Sequence, residues 1–389
     1  MINLLKKING ILNKDYKSVY FLGNNYHSFY SLSKGLKKLG WKTFCFNPDI
    51  GCPYIHNYDA QGDLSKFGPA LQVFFNILLH YKFLHIYSDT RDNIYKGSKN
   101  LYFLKKILTI SFLKKVGVKI LYTPSGCYQG STSKEINILS PGVCDKCIWQ
   151  NTSVCDDKKN KDIINWIKKN VDVYVGEIDL PRKISFSSIG YRLPLSALDL
   201  EHYNIFNLKI PNDFIIDNPD NKIIIFTAFG NEYIRTSETK DIKGKKIIIK
   251  AINKLIEEGY PILHFHATEV LSKYMRYYQI QADLVVDQLN YGTIGSSARE
   301  ALMLGKPTIC HVSKLVRETN IAMKSCPAID ANEENVYDVI KKYISNKDLL
   351  KIVGLASREW AIKWYSHDSC AQRYERLIQN ILEKKPLMS

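Results

Sequence analysis

Short runs of β-branched and aromatic residues alternate with stretches of helical periodicity, twice over, and that alternation leaves few folds open to this chain. In the first series, Ser18-Val-Tyr-Phe-Leu22 ends at Gly23-Asn24-Asn25, after which Phe29, Leu32, Leu36 and Leu39 recur at helical spacing up to a Gly40 stop. Further β-type runs follow at 42–46, 83–87, 118–123 and 171–175, with helical stretches at 64–80, 101–115 and 162–169. Such alternation predicts an α/β fold with parallel strands covered on both faces. The pattern loosens through Pro181, Pro194 and Pro211, which places a connection near 184–212. A second series then opens with the strand Lys222-Ile-Ile-Ile-Phe-Thr-Ala228, followed by a helix over 245–258, a strand over 261–266, a helix over 268–280 and strands at 284–286 and 308–311. Helices are expected to fill 333–344, 347–363 and 368–384. At 389 residues the chain exceeds the roughly 100–200 residues of one domain. The expected division is 1–190, 205–360 and a terminal helical segment 361–389.

The densest signal is Tyr291-Gly-Thr-Ile-Gly-Ser-Ser-Ala-Arg-Glu300-Ala-Leu-Met-Leu-Gly-Lys-Pro307-Thr-Ile-Cys310. It reads as a glycine-bearing loop, a helix, a glycine stop and a strand. Gly292 and Gly295 let backbone approach a ligand closely, and free N–H groups from Ser296 and Ser297 onward favour an anion at the helix start. Glu300 cannot attract phosphate, so its task beside a diphosphate is to accept hydrogen bonds from hydroxyls. The competing reading is an ordinary αβ unit whose glutamate faces water.

Glu300-Ala-Leu-Met-Leu-Gly305-Lys-Pro307 resembles the nucleotide-sugar motif of GT-B glycosyltransferases, near the retaining group called family 4, where the helix has the form Glu-Ala-Met-Ala-x-Gly-x-Pro. Many members carry a second glutamate eight residues earlier, a position held here by Gly292. The resemblance implies two Rossmann-like domains facing a central cleft, with the last helix crossing back to the first domain. It implies that Glu300 holds a ribose and that Gly295, Ser296 and Ser297 cradle the distal phosphate. Gly23 and Asn24 match the position of the family's N-terminal glycine loop. Lys243-Gly244 matches its Lys-Gly pair, with Arg235 as a second cation for the leaving diphosphate and Asn231 as a polar contact; Lys240 reads as a solvated charge. Tyr122-Thr-Pro-Ser125-Gly126 lies where many relatives have a His-Gly pair, so Ser125 departs from the pattern and leaves acceptor activation unassigned.

Other residues are read on their own chemistry. Asp89, after the strand ending at Tyr87, is a candidate for binding an acceptor hydroxyl. His264 and His266 alternate on one strand and so share a face; His266 could border the nucleotide base or serve structure. His27 could transfer a proton or cap its helix. Cys127, Cys144, Cys147 and Cys155 include a C-x-x-C pair and are candidate ligands of a structural zinc holding a long loop, with free thiols as the alternative. No metal or other cofactor is expected in catalysis. Cys45 and Cys310 read as small core residues. The total of nine cysteines is odd, which argues against a disulfide framework.

Composition bounds the partners. The net charge is +16, from 54 Lys and Arg against 38 Asp and Glu, which calls for an anionic partner. The lysines are dispersed among apolar residues with no Arg-rich tract, which speaks against nucleic acid. Leu4–Leu12 and Leu101–Lys115 could instead rest on an anionic membrane surface, or be core-facing helices with a lysine edge. No stretch approaches the roughly 20 apolar residues of a membrane span, and Lys6, Lys7 and Lys14 break any signal-peptide core, so the expected place is the cytoplasm, peripherally on the inner membrane face. The expected activity is sugar transfer from a nucleotide-sugar donor to a glycan or lipid-linked acceptor in surface polysaccharide or glycoconjugate assembly, retaining and metal-independent. The alternatives are a GT-B nucleotide-sugar epimerase, a basic zinc-containing nucleic-acid-binding protein, and a noncatalytic GT-B partner of another transferase.

Overall fold

The computed structural model describes residues 15–23, 26–52, 57–87, 92–97, 108–124, 126, 131–176, 189–230 and 235–387. The chain forms two compact units, and both are discontinuous where the sequence suggested contiguous ranges. The first comprises residues 1–132, 156–197 and 367–389; the second comprises 133–155 and 198–366.

The first unit is built on a parallel sheet of seven strands: β1 (Ser18–Leu22), β2 (Lys42–Asn47), β3 (Ala60–Gln61), β4 (Phe83–Tyr87), β5 (Lys119–Thr123), β6 (Val173–Val175) and β7 (Gly190–Tyr191). Their order is β3-β2-β1-β4-β5-β6-β7. Every residue of β1 is buried. Alternate residues serve opposite faces, with Tyr20 and Leu22 in one core and Val19 and Phe21 in the other. Helices Phe67–His80 and Asp157–Asn170 cover the first of these faces through Val73, Phe74, Ile77, Ile163 and Ile167.

The other face is covered by the helix Ser28–Lys38 and by the last helix, His367–Leu382, whose Cys370, Ala371, Tyr374, Leu377 and Ile378 join Leu32 and Leu36 in one core. The terminal helix thus belongs to the first unit, as expected of a chain that crosses back. Gly35 sets how closely the two helices approach, because a Cβ there would lie 2.3 Å from the His367 carbonyl oxygen. Ion pairs Lys17–Glu375 at 2.8 Å and Lys38–Asp368 at 3.0 Å edge the contact.

The second unit holds a parallel sheet of four strands, β8 (Ile223–Thr227), β9 (Ile262–His266), β10 (Leu284–Val286) and β11 (Thr308–Ile309), in the order β11-β10-β8-β9. It repeats the two-faced logic: Ile223, Ile225, Leu284 and Val286 point to one core, and Ile224, Phe226 and Val285 to the other. Segment 133–155, expected within the first domain, belongs here instead.

Of the two segments considered for a membrane surface, 4–12 lies outside the described residues. In the other, the described helix Ile110–Lys115 turns Ile110 and Leu113 into the first unit's core, while Lys114 faces Asp172 at 3.8 Å. Among the described residues no helix is long and apolar enough to cross a membrane.

Candidate active site

In an open parallel sheet, ligands gather outside the carboxyl ends of the strands where the order reverses. In the second unit that point is β8, which pairs with β9 on one side and β10 on the other. The loops leaving β8 and β10 therefore define the candidate site.

The loop after β8 returns through Arg235 to Lys243 and Gly244. Gly244 is the left-handed N-cap of the helix Lys245–Glu257, with φ of +76°. Asp241 seals that helix start, accepting from the Gly244 N–H at 3.0 Å and the Lys246 N–H at 2.8 Å. Lys243 is held at both ends. Its carbonyl accepts from the Leu289 N–H at 3.0 Å, and its ammonium meets Asp287 Oδ1 at 3.1 Å. Burial pulls the Lys243 pKa down, the Asp287 carboxylate opposes that pull, and the neighbouring Arg235 adds to it.

Asp287 directly follows β10. Its N–H donates to the Ile309 carbonyl at 2.9 Å, so the sheet itself places the carboxyl group. Past it, the loop runs to Gly295, the N-cap of the helix Ser296–Met303. No side chain caps this helix, and its first turn holds no acidic residue. Gly295 is needed for space rather than for its backbone angle, since a Cβ would come within 2.8 Å of Asp287 Oδ2. The helix start is fixed by side-chain contacts: Gln279 Nε2 donates to the Ser297 carbonyl at 3.2 Å and its hydroxyl at 3.3 Å, and Arg299 donates to Ser296 Oγ at 3.0 Å.

Glu300 is buried in the first turns of that helix. Burial raises its pKa to about 7, against the pull of Arg299 and of a hydrogen bond from Tyr203, and Asp287 adds to the rise. Burial and Glu300 together hold the Tyr203 phenol well above its usual range. Arg358 anchors Tyr203 in turn, donating to its carbonyl at 2.9 Å and to that of Met303.

His264 and His266 share a single partner on β8. Thr227 Oγ1 lies 2.9 Å from His264 Nε2 and 2.8 Å from His266 Nδ1, so one hydroxyl donates to one ring and accepts from the other. Burial holds the His264 pKa down at about 4. His266 also packs on Phe229 at 5.3 Å between ring centroids.

Gly292 explains the missing carboxylate. It has φ of +71°, and a Cβ there would meet Ser140 Cβ at 3.2 Å, the Leu139 carbonyl at 3.3 Å and Ser313 Cβ at 3.4 Å. The space that a glutamate would need is taken by segment 133–155. That segment is bolted to the loop after β10: Ser140 donates to the Asn290 carbonyl, Lys146 donates to Asn290 Oδ1 at 3.0 Å, and Lys146 pairs with Glu333 at 2.6 Å.

No protein-family profile matches the chain, and no curated protein matches it in sequence. Comparison of folds is informative. The structure of Anabaena HepE in complex with UDP and glucose matches with a TM-score of 0.56 at 11% identity, over 93% of this chain and 99% of that one. Sucrose-phosphate synthase from Thermosynechococcus elongatus matches with a TM-score of 0.55 at 11% identity, over 95% and 100%. The fold is GT-B. A putative UDP-N-acetylglucosamine 2-epimerase from Listeria monocytogenes shares this GT-B likeness, with a TM-score of 0.52 at 10% identity over 96% and 100%.

Within the second unit, Arg235 and Lys243 lie on the loop after β8 and Gly295 ends the loop after β10, with Ser296, Ser297 and Glu300 on the helix that follows it. His266 sits at the end of β9. In the first unit, Gly23 ends β1 with φ of +86° and its N–H donating to the Phe46 carbonyl at 2.9 Å; a Cβ there would lie 2.6 Å from the Tyr87 carbonyl. Asn24, Asn231, Asp89 and Cys127 lie outside the described residues. Lys240, read from sequence as a solvated charge, donates to the Asp145 carbonyl and so helps to hold segment 133–155. Of the zinc candidates, Cys144, Cys147 and Cys155 form no disulfide, and among the described residues no three His, Cys, Asp or Glu side chains are grouped to hold a metal ion. The Cys144 thiol donates to the Ser133 carbonyl, 3.8 Å from its Sγ. Sequence reasoning missed Asp287, Tyr203 and Thr227. Asp287 carried one usable signal, an acidic residue directly after an apolar strand-like run.

Proposed function

We propose that this chain is a glycosyltransferase that takes a sugar from a nucleotide-sugar donor and passes it to a glycan or lipid-linked acceptor in surface polysaccharide or glycoconjugate assembly. The observation that carries the reading is local. An uncapped helix start, a buried lysine and a buried glutamate on that same helix lie around adjacent strand ends of the second unit. Each matches one demand of the donor. The helix start offers N–H groups to a phosphate, Lys243 with Arg235 offsets charge as the diphosphate departs, and Glu300 accepts from ribose hydroxyls. These two cations take the part that a divalent metal would otherwise play in the reaction. The anomeric outcome proposed is retention, and the place of action is the cytoplasmic side of a membrane that supplies the acceptor. UDP is the first nucleotide to test, because the HepE structures hold UDP and UDP-glucose.

Thermal denaturation with saturating UDP, UDP-glucose or UDP-N-acetylglucosamine tests donor binding, since a ligand at about 100 times its Kd adds roughly 2.7 kcal/mol to native-state stability. A shift in wild type that is lost in Glu300→Ala supports the ribose assignment; an equal shift in both removes it. The likeness to the putative epimerase supplies a second reading. Incubation with UDP-N-acetylglucosamine alone separates the two, because an epimerase converts the sugar without an acceptor.

A further inference from the structure

Asp287 has no part in the reading above, yet it is the least exposed charged group near the site. Its side chain is 0% exposed, and that of its partner Lys243 is 9% exposed. Buried ion pairs are poor sources of net stability, because removing two charges from water costs about as much as their attraction returns. The placing of this one is specific. Asp287 Oδ1 holds the Lys243 ammonium at 3.1 Å, and backbone hydrogen bonds fix both residues, from Asp287 to Ile309 and from Leu289 to Lys243. The second oxygen, Oδ2, is buried, has no hydrogen-bond partner among the described residues, and points at Gly295.

We propose that Asp287 is a positioning residue, which holds Lys243 as a cation at the strand ends so that the leaving diphosphate meets a fixed positive charge. The inference rests on the transferase reading and adds to it what keeps a buried lysine charged. Burial and Arg235 both push Lys243 toward the neutral amine, and Asp287 opposes them. Around this pair, Arg235 faces Lys243 from the loop after β8, while Asp287 also acts on Glu300 of the Ser296–Met303 helix and on Cys310 after β11. Asp241 is committed to the helix start beside Lys243. The carboxylate does not touch the reacting atoms. It acts through the lysine.

The test compares wild type with Asp287→Asn, Asp287→Glu, Lys243→Arg and the Lys243→Arg, Asp287→Asn double variant, each first checked for folding by circular dichroism. The 13Cε resonance of Lys243 is followed against pH in lysine-labelled protein, alongside UDP-glucose turnover. In Asp287→Asn the Lys243 midpoint should fall by about one pH unit or more, the scale of an opposite charge at this range. The alkaline limb of kcat should move down with it, while KM for the donor stays near wild type. Asp287→Glu should keep the wild-type midpoint. In the Lys243→Arg background, where the guanidinium stays charged, adding Asp287→Asn should leave the alkaline limb in place. An unmoved midpoint in Asp287→Asn, a lowered midpoint in Asp287→Glu, or a kcat loss equal at every pH overturns the proposal. Should wild type turn over no UDP-sugar, the transferase reading fails, while the resonance still decides whether Asp287 keeps Lys243 charged.

Discussion

The two units solve one topological problem and furnish the result differently. In the first, β1 is the switch strand and pairs with β2 and β4; in the second, β8 is, and pairs with β9 and β10. At the end of β1 the chain is closed by backbone: Gly23 donates to Phe46 and leaves no room for a side chain against Tyr87. Inside that sheet His85 is wholly buried, stacks on Tyr374 at 5.7 Å and shares a 2.8 Å hydrogen bond with Thr123. Around β8 and β10, by contrast, charge is gathered and buried. Lys243, Asp287 and Glu300 all lie under cover, at a desolvation cost that no fold requires. Among the described residues, equivalent topology thus gives a backbone-closed turn at Gly23 in one unit and a cluster of buried charge in the other.

The largest effect that would break this contrast concerns Lys243. Lys243→Met should lower kcat for UDP-sugar turnover by about 10²–10³-fold, the scale of losing one preorganised charge partner of the transition state. A drop of less than about tenfold would place the departing charge elsewhere. Next comes Glu300→Ala, expected to raise KM for the donor by roughly 10–100-fold with a smaller change in kcat, the worth of hydrogen bonds to a charged acceptor. The first unit should respond in stability instead. Gly35→Ala forces the return helix off the His367 carbonyl, and denaturant unfolding should show a loss of about 1–3 kcal/mol with donor KM unchanged once the protein is folded.

The smallest and sharpest difference is in pH dependence. Burial lowers the His85 pKa from 6.5 to about 3, so the unfolded chain binds the proton more readily. The stability His85 contributes is complete above about 6.5 and is lost as pH falls toward 3. Glu300 has the opposite sign. Its folded pKa of about 7 lies above the ordinary 4.5, so its contribution is complete below 4.5 and is lost as pH rises through 7. Thermal melts of His85→Phe should therefore gain on wild type as the solution is acidified, and those of Glu300→Gln should gain as it is made alkaline. Equal slopes in the two variants would remove the contrast.

Much of this was legible in the sequence, and the exceptions have physical reasons. β1, β4, β8 and β10 were readable because both faces of each strand are covered, which demands continuous apolar runs. Glu300 and Lys243 drew attention because Glu300-Ala-Leu-Met-Leu-Gly305-Lys-Pro307 and Lys243-Gly244 resemble motifs of a known family. The two-residue strands β3 and β7 were not, since so short a run carries no period and is held by its neighbours' ladder. The placing of segment 133–155 in the second unit was hidden as well. It rests on Ser140, Lys146 and Lys240 meeting partners far away in sequence, and none of them is unusual locally. The C-x-x-C spacing drew attention to the cysteines of this segment, whereas the residues between them, Asp145 and Lys146, make the contacts that hold it. Gly35 reads as a helix-weakening residue until its helical neighbour is known.

Gly292 carries a consequence for how such a site changes over time. Its left-handed backbone, the seat of Ser140 and Leu139 against it and the hydrogen bond from Ser313 to its carbonyl form one mutually dependent set. A glutamate placed there would need a left-handed backbone and would press on Ser140, Leu139 and Ser313. One substitution alone therefore costs strain at this position, and a carboxylate is more readily gained where the backbone is extended or helical.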